Sequence, residues 1–226
     1  MNNKIIIIAG DPNSVNSEII SKTWKKISPN LKKNIYLIAN FKLIFDQFKK
    51  INAKIPIIKV KNINSLRKNN KLKIIDIPLN FKNPFDVSIS NARKYVMKCF
   101  NLGHNLSKDK LVKGLINCPI NKKLLGKTKK TGITEFLASK CNIKDNSEVM
   151  LIHNKNLSVL PLTTHIKLKD ISKKINKKLI IKKMKTLRRG FKKLFNKNPK
   201  IGVLGLNPHN AELINNSEEK KEIIPA

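Results

Sequence analysis

Residues 4–18 read KIIIIAGDPNSVNSE, and this stretch decides the fold class. Four isoleucines follow one another without the alternation of a half-exposed strand, so the pattern predicts a strand over residues 4–9 that is buried on both faces. A Gly-Asp-Pro turn and a polar loop follow, and residues 18–27 then have helical periodicity. A doubly buried strand followed by a helix predicts an α/β protein with a largely parallel sheet.

The same order of short apolar runs and helical patterns continues along the chain. The patterns predict strands over residues 35–40, 73–79 and 113–120, and helices over residues 41–49, 86–103, 122–125 and 131–142. Ser88 or Ser90 can cap the helix of residues 86–103, and Gly103 is typical of a helix end.

The second half of the chain has a different pattern. Residues 148–165, EVMLIHNKNLSVLPLTTH, contain two apolar runs joined by a polar turn. They predict a β-hairpin, so we expect a mixed sheet. Residues 168–195 have one apolar stripe among many lysines, which favours a helix covering a sheet; a helix on a membrane surface is the alternative. Residues 201–206 predict a further buried strand, and a capped helix is expected to begin at Ser217.

The charge of the chain is strongly positive, with 48 Lys and Arg against 14 Asp and Glu and a formal net charge of +34. A basic protein of this kind can bind a polyanion. However, the positive charge is nearly all lysine, spread over the whole chain, whereas nucleic-acid readers depend on arginine and on aromatic side chains. The composition therefore favours drift in an A+T-rich coding sequence, with no specific nucleic acid as partner. The charge should still attract anionic small molecules such as phosphate esters.

The number and spacing of the cysteines indicate the redox environment of the protein. Cys99, Cys118 and Cys141 are odd in number and have no CxxC spacing, which predicts reduced thiols rather than disulfides or a zinc site. The apolar run near the start is too short for a signal peptide, and no stretch approaches the roughly 18 apolar residues of a membrane span. We expect a cytoplasmic protein.

Two of the four histidines, His165 and His209, directly follow apolar runs that the patterns assign to strands. Open α/β sheets bind ligands beyond the carboxyl ends of their strands, so two imidazoles there can share a divalent metal. Such a metal would polarise a substrate hydroxyl. Hydrogen-bonding or surface histidines are the alternative. Lys122, after NCPIN, can meet a phosphate or a carboxylate. The common dinucleotide, P-loop and nucleophile-elbow motifs are absent from the sequence.

Six blocks of sequence together indicate a family. They are GDPNSVNSEI at residues 10–19, NCPINK at 117–122, TGITEFLA at 131–138, TTHIKLKDI at 163–171, GLNPHNAE at 205–212 and EEKKEIIPA at 218–226. Their order and their residues resemble those of the 4-hydroxythreonine-4-phosphate dehydrogenases of pyridoxal phosphate biosynthesis. In that family they read GDPAGIGPE, TGPINK, TGHTEFLA, TTHLPLRDV, GLNPHAGE and EE-x-x-x-I-x-PA.

The resemblance implies a fold like that of isocitrate and isopropylmalate dehydrogenases. Two interleaved α/β/α lobes would surround a cleft, with a boundary near residues 125–135, and the enzyme would work as a homodimer. That fold binds NAD through other loops, which accounts for the missing dinucleotide motif. The C-terminal third of the family fold is expected to be missing from this chain.

The resemblance also implies a reaction. It is the oxidation of 4-phosphooxy-L-threonine, with loss of carbon dioxide, to 3-amino-2-oxopropyl phosphate. The acceptor would be NAD, with NADP left open, and the divalent metal would be Zn, Mg or Co. His165 and His209 match two of the family's three metal-ligand histidines, and Glu212, three residues after His209, is expected to support that ligand. Thr134 matches a substrate-contacting threonine, while Ile133 replaces a substrate-contacting histidine.

Several departures from the family pattern keep two other functions open. Ile133 cannot hydrogen-bond through its side chain, Cys118 replaces a glycine, and residues 13–17 replace a glycine-rich turn. With the third metal histidine expected in the missing part, the alternatives are an inactive truncated homologue and a basic polyanion-binding protein on the same fold.

Overall fold

The computed structural model describes residues 3–64, 70–125, 133–143, 147–164 and 166–226. The chain forms two compact units, Met1–Gly132 and Ile133–Ala226. The turn expected at residues 131–132 and the candidate ligand His165 lie outside the described residues.

The first unit contains a parallel sheet flanked by helices. Its strands are β1 (Lys4–Ile8), β2 (Ile35–Ala39), β3 (Ile57–Val60), β4 (Leu72–Asp76) and β5 (Val112–Asn117). Its helices are α1 (Asn16–Lys26), α2 (Pro29–Lys32), α3 (Phe41–Lys50) and α4 (Ile89–Leu106), followed by a 3-10 turn over Lys122–Leu125. The strand order is β3-β4-β2-β1-β5, and every pairing is parallel. The predicted α/β fold with a buried parallel sheet is confirmed.

Helices cover both faces of this sheet. Successive strand residues point to opposite sides, so each face has apolar side chains that a helix covers. Ile7 packs against the core formed by Trp24 of α1 and Phe48 of α3. Ile8 faces the other way, where its side chain lies close to Gly103 of α4. The unit is therefore a three-layer α/β/α structure, with the carboxyl ends of β1 and β5 side by side at one edge of the sheet.

Two details of the first unit differ from the sequence predictions. Gly103 does not end α4, which continues to Leu106. A Cβ atom at Gly103 would come within 2.8 Å of the Ile8 side chain, so the glycine serves close helix–sheet packing. The strand β3 was not expected, because its half-exposed edge position leaves only a short apolar run. Ser88, one of the two expected caps, does cap α4 by accepting a hydrogen bond from the Asn91 amide at 3.4 Å.

The second unit contains helices and a small hairpin. Its elements are α5 (Ile133–Lys140), β6 (Ile152–His153), β7 (Ser158–Val159), α6 (Ile171–Lys174) and α7 (Lys177–Phe195). Helical turns also span Leu168–Asp170, Pro208–Leu213 and Glu219–Ile223. The last of these turns directly follows Ser217 and Glu218, as expected, and the Ser217 hydroxyl accepts the Lys220 amide at 3.3 Å.

The predicted hairpin exists but does not join the main sheet among the described residues. β6 and β7 pair antiparallel as a separate two-stranded sheet. Each strand is two residues long, too short to extend a five-stranded sheet, so the expectation of a mixed sheet is wrong for the described part. His153 lies in β6 rather than in the turn, and its ring packs on Phe195 with centroids 4.5 Å apart.

The helical and strand patterns of residues 168–206 need two further corrections. The predicted single helix is divided at Ile175 and Asn176, where Asn176 caps α7 by accepting the Leu179 amide at 2.9 Å. The predicted strand over residues 201–206 is not a strand: no described strand pairs with it, and Leu204 is 89% exposed. An apolar segment cannot form a strand without a partner for its amides and carbonyls.

No helix within the described ranges is long and apolar enough to cross a membrane.

Candidate functional site

The loops after β1 and β5 pack directly against each other at the carboxyl edge of the first unit's sheet. The Asn16 amide group donates to the Pro119 carbonyl at 2.8 Å, and the Cys118 amide donates to the Ile8 carbonyl at 3.0 Å. Gly10 has a φ of +77°, and a Cβ atom there would come within 2.7 Å of the Pro119 carbonyl oxygen. The glycine is therefore required both by its backbone conformation and by the close approach of the two loops.

The loop after β1 is also fixed from its other side. Asn13 donates to the Val87 carbonyl and accepts from the Val87 amide, both at 2.8 Å. Gln47 of α3 donates to the carbonyls of Pro12 and Pro84 at 2.8 and 2.7 Å. These buried amide contacts make the loop a rigid wall of the site, although it lacks the glycine-rich turn of the family.

Two buried polar atoms next to this loop have no hydrogen-bond partner among the residues that the structure describes. They are Asn16 Oδ1 and Ser17 Oγ, in the first turn of α1. Since buried polar groups in folded proteins almost always have a partner, these two atoms leave hydrogen-bonding positions for water or a polar ligand at the carboxyl edge of the sheet.

Lys122 begins the 3-10 turn that follows β5, and its side chain is exposed. Asn121 caps the turn by accepting the Lys123 amide at 3.0 Å, and Arg93 of α4 donates to the Lys123 carbonyl at 2.9 Å. Leu124 and Leu125 anchor the turn because both are buried. Because Lys122 is exposed and its backbone is fixed, its ammonium group is placed to meet an anionic group.

His209 lies in an exposed turn with an unusual backbone. The five residues from His209 to Leu213 all have φ between 48° and 54°, the left-handed region. This conformation costs roughly 1–2 kcal/mol for each L-residue, and less for asparagine, so the turn depends on contacts made elsewhere. A Cβ atom at Gly205 would come within 2.0 Å of Asn210 Oδ1, so the exposed Asn210 side chain would have to move if Gly205 were replaced.

A buried carboxylate anchors this turn. Glu219 is 2% exposed and accepts the amides of Leu206 at 2.9 Å and Asn207 at 2.8 Å. The Asn207 amide group also donates to both Glu219 oxygens and, at 3.1 Å, to Glu218. These contacts, above all the Asn207 amide, lower the pKa of Glu219 below its ordinary value despite the desolvation that opposes them.

The sequence reasoning missed Glu219 and named Glu212 as the support of His209. Glu212 is exposed and lies within the left-handed turn. The available signal was the pair Glu218–Glu219 in a chain with only 14 acidic residues. In so basic a chain, an acidic pair favours carboxylates that hold the backbone.

The remaining candidates are only partly described. Ile133 and Thr134 are adjacent, half-buried residues at the start of α5, so they present one apolar and one hydroxyl side chain. His165 is outside the described residues, so its predicted pairing with His209 stays a prediction. Among the described residues, no group of three His, Cys, Asp or Glu side chains is placed to hold a metal.

Two of the three cysteines, Cys99 and Cys118, are buried, which makes their thiols less acidic. Burial raises the pKa of the Cys118 thiol, in the loop after β5, to about 11. Burial also raises the pKa of Cys99 in α4 to about 12. Thiols that resist deprotonation are poor nucleophiles and poor metal ligands, so Cys118 acts as a small apolar residue where the family has glycine.

Known proteins match this chain over most of its length. The family model for the pyridoxal phosphate biosynthetic protein PdxA matches residues 31–226. A 4-hydroxythreonine-4-phosphate dehydrogenase of Sulfurihydrogenibium is 33% identical over 99% of this chain and 69% of its own length. Its Aquifex aeolicus counterpart is 31% identical over 100% of this chain and 70% of its own length.

Solved structures agree with the sequence matches. A 4-hydroxythreonine-4-phosphate dehydrogenase from Burkholderia phymatum superimposes with a TM-score of 0.81 at 26% identity, covering 100% of this chain and 69% of that one. A Klebsiella pneumoniae structure of the same enzyme name gives 0.85 at 22% identity, over 99% and 70%, and shows the fold alone. The fold and these matches define the class, an α/β oxidoreductase of the dehydrogenase type. Within that class, the chain belongs to the PdxA family of pyridoxal phosphate biosynthetic proteins.

Proposed function

We propose that this chain oxidises 4-phosphooxy-L-threonine with NAD as acceptor, assisted by a divalent metal, and that the product loses carbon dioxide to give 3-amino-2-oxopropyl phosphate. The observation that carries the proposal is the family match over nearly the whole chain, at 33% identity to a curated dehydrogenase. The proposal includes NADP as the alternative acceptor to NAD, and Zn, Mg or Co as the metal.

The chemistry assigns a role to each candidate residue. His165 and His209 would hold the metal through neutral imidazole nitrogens. A metal held there would supply Lewis-acid stabilisation of the substrate alkoxide, and bound NAD would supply the acceptor for the hydride that leaves the alkoxide carbon. The oxidised product is a β-keto acid, and it releases its carboxylate as carbon dioxide.

The other candidates bind and orient the substrate. The Lys122 ammonium would pair with a phosphate or carboxylate of the substrate, and the exposed, fixed position of its turn supports this role. The Thr134 hydroxyl would donate a hydrogen bond, while Ile133 excludes water. Since Ile133 offers no hydrogen bond, a substrate group that pairs with the family's histidine would lose roughly 1–3 kcal/mol of binding here.

The proposal includes a homodimer that acts in the cytoplasm. Exposed apolar side chains on the hairpin, namely Ile152, Leu157 and Val159, support association of two copies. The three cysteines, all free, support a reducing compartment. Sedimentation of the purified chain tests the dimer, and a monomer at all concentrations would remove this part of the proposal.

The direct test is NADH formation by the purified 226-residue chain with 4-phosphooxy-L-threonine. We expect absorbance at the NADH wavelength to rise with added metal and to stop with a chelator. His209→Ala and His165→Ala should each abolish the activity, whereas His104→Ala, a control in α4, should retain it. Absence of metal-dependent turnover by the folded wild-type chain would instead favour the inactive-homologue alternative.

A further inference from the structure

We propose that Glu219 is a positioning residue whose carboxylate fixes the turn that presents His209, and so sets the affinity of the chain for its divalent cation. The role of His209 in this inference rests on the proposed function. The contacts of Glu219 come from the structure.

The carboxylate of Glu219 binds the backbone immediately before the turn. One oxygen accepts two successive amides, those of Leu206 and Asn207, at 2.9 and 2.8 Å. The Asn207 side chain reaches both oxygens at 3.3 and 3.2 Å. Because Glu219 is 2% exposed, water competes little for these contacts. The backbone two residues before His209 is therefore fixed by a charged, buried acceptor.

The turn is built on the residue that Glu219 holds. The Asn210 amide donates to the Asn207 carbonyl at 3.1 Å, so the left-handed run starts from Asn207. At its other end, the Ile214 carbonyl accepts the Ser217 amide at 3.0 Å. Residues 217–219 therefore hold both ends of the segment that carries His209.

A left-handed run of L-residues does not persist without such anchors. If Glu219 lost its charge, the segment should relax to ordinary dihedrals, and the His209 ring would sample several directions. A metal ligand that must first be ordered binds more weakly, because the bound conformation is only fractionally populated.

Glu222 offers a matched control in the same helical turn. Its carboxylate also accepts a backbone amide, that of Lys177 at 2.7 Å, but this contact caps α7 instead of the His209 turn. Glu219→Gln and Glu222→Gln are the same isosteric change, and each weakens one charged hydrogen-bond acceptor. A role of Glu219 in stability alone predicts equal effects of the two variants on metal binding.

The test uses the full chain and Co²⁺ alone, followed by calorimetry, with circular dichroism to verify folding. We expect Glu219→Gln to weaken Co²⁺ binding about 10–100-fold, the range for lost support of a metal ligand, and Glu222→Gln to change it less than about twofold. Glu219→Asp keeps the charge and should recover part of the affinity. Equal Co²⁺ affinities of the two glutamine variants would overturn the inference.

A second measurement separates this inference from the proposed function. If the wild-type chain bound no Co²⁺, the metal role of His209 would fall, but amide hydrogen exchange would still decide the role of Glu219. Glu219→Gln should speed exchange at Leu206 and Asn207 about tenfold or more relative to Glu222→Gln and split the His209 ring signal. Unchanged exchange and a single ring signal would contradict the positioning role.

Discussion

At the scale of single residues, one glycine sets the contact between the loops after β1 and β5. Gly10 has a φ of +77° and lies where a Cβ atom would approach the Pro119 carbonyl at 2.7 Å. Gly205 leaves room for the Asn210 side chain before the His209 turn. Both glycines belong to blocks that resemble the family, and at Gly10 the close approach of backbone explains the residue.

Gly10→Ala is expected to destabilise the chain by about 2 kcal/mol or more, because strain and a backbone clash coincide there. Gly114→Ala is the control, since a Cβ atom at Gly114 in β5 meets no atom of the described residues within 4 Å. Urea unfolding measures both variants. Equal midpoints for the two would show that the loops after β1 and β5 do not pack as described.

The cysteines give a labelling prediction. With native protein near pH 8, a thiol reagent should modify the exposed Cys141 and leave Cys99 and Cys118 intact, since burial raises the pKa of these two thiols to about 12 and about 11. Mass spectrometry of the labelled peptides is the measurement. Rapid native labelling of Cys118 would place that thiol in solvent.

The lowered pKa of Glu219 gives a pH dependence with a definite sign. Its folded-state pKa lies below the ordinary 4.5, so its stabilisation is present above that pH and is lost as the pH falls through the folded value. Urea midpoints of the wild type should therefore drop more steeply on acidification than those of Glu219→Gln. Parallel curves would mean that the carboxylate is not held in the folded state.

At the scale of elements, one helix cap ties two helices to the sheet of the first unit. Asn40, at the start of α3, accepts the Leu43 amide at 2.8 Å and donates to the Ile77 carbonyl at 2.9 Å. Its own amide donates to the Tyr95 hydroxyl of α4 at 3.1 Å. One buried asparagine thus joins the ends of β2 and β4 to helices on both faces.

Asn40→Ala should cost about 2–3 kcal/mol, because it removes a cap and leaves a buried carbonyl without its partner. Asn176→Ala is the matched change in an exposed cap, which should cost about 1 kcal/mol. Urea titrations measure the free energy of unfolding of both variants. If Asn40→Ala lowered the free energy of unfolding less than Asn176→Ala does, the Asn40 hydrogen bonds would not hold the helices to the sheet.

The elements show how far the sequence predicts this structure. The starts of β2 and α3 were predicted at the observed residues, since buried runs and caps are local signals. The apolar run of residues 201–206 was misread, because strand formation depends on a partner that local pattern does not reveal. The hydrogen bonds of Glu219 to the Leu206 and Asn207 amides were not predicted, because the partners lie 13 and 12 residues away in sequence and local patterns do not reveal them.

At the scale of the whole molecule, charge is the dominant property. The net charge of +34 leaves most basic side chains without an acidic residue to pair with, since 48 Lys and Arg face 14 Asp and Glu. The structure shows ion pairs of Lys22 with Glu18 and of Lys59 with Asp76. Repulsion among the lysines should therefore outweigh attraction. The same excess should attract a phosphorylated substrate.

Salt should stabilise the chain as a consequence. Raising KCl from about 20 to about 300 mM screens long-range repulsion, so Tm is expected to increase by a few degrees. Differential scanning calorimetry in chloride and in acetate separates screening from binding of a particular anion. A Tm that falls with salt would mean that ion pairs, not repulsion, control the electrostatics.

The shared-metal claim for His165 and His209 has one decisive measurement, which is calorimetric titration of the full chain with Zn²⁺. The account predicts that His165→Ala and His209→Ala each weaken Zn²⁺ binding more than about tenfold, while His104→Ala leaves it unchanged. Retention of wild-type Zn²⁺ affinity by either of the first two variants would show that the two imidazoles do not hold one cation.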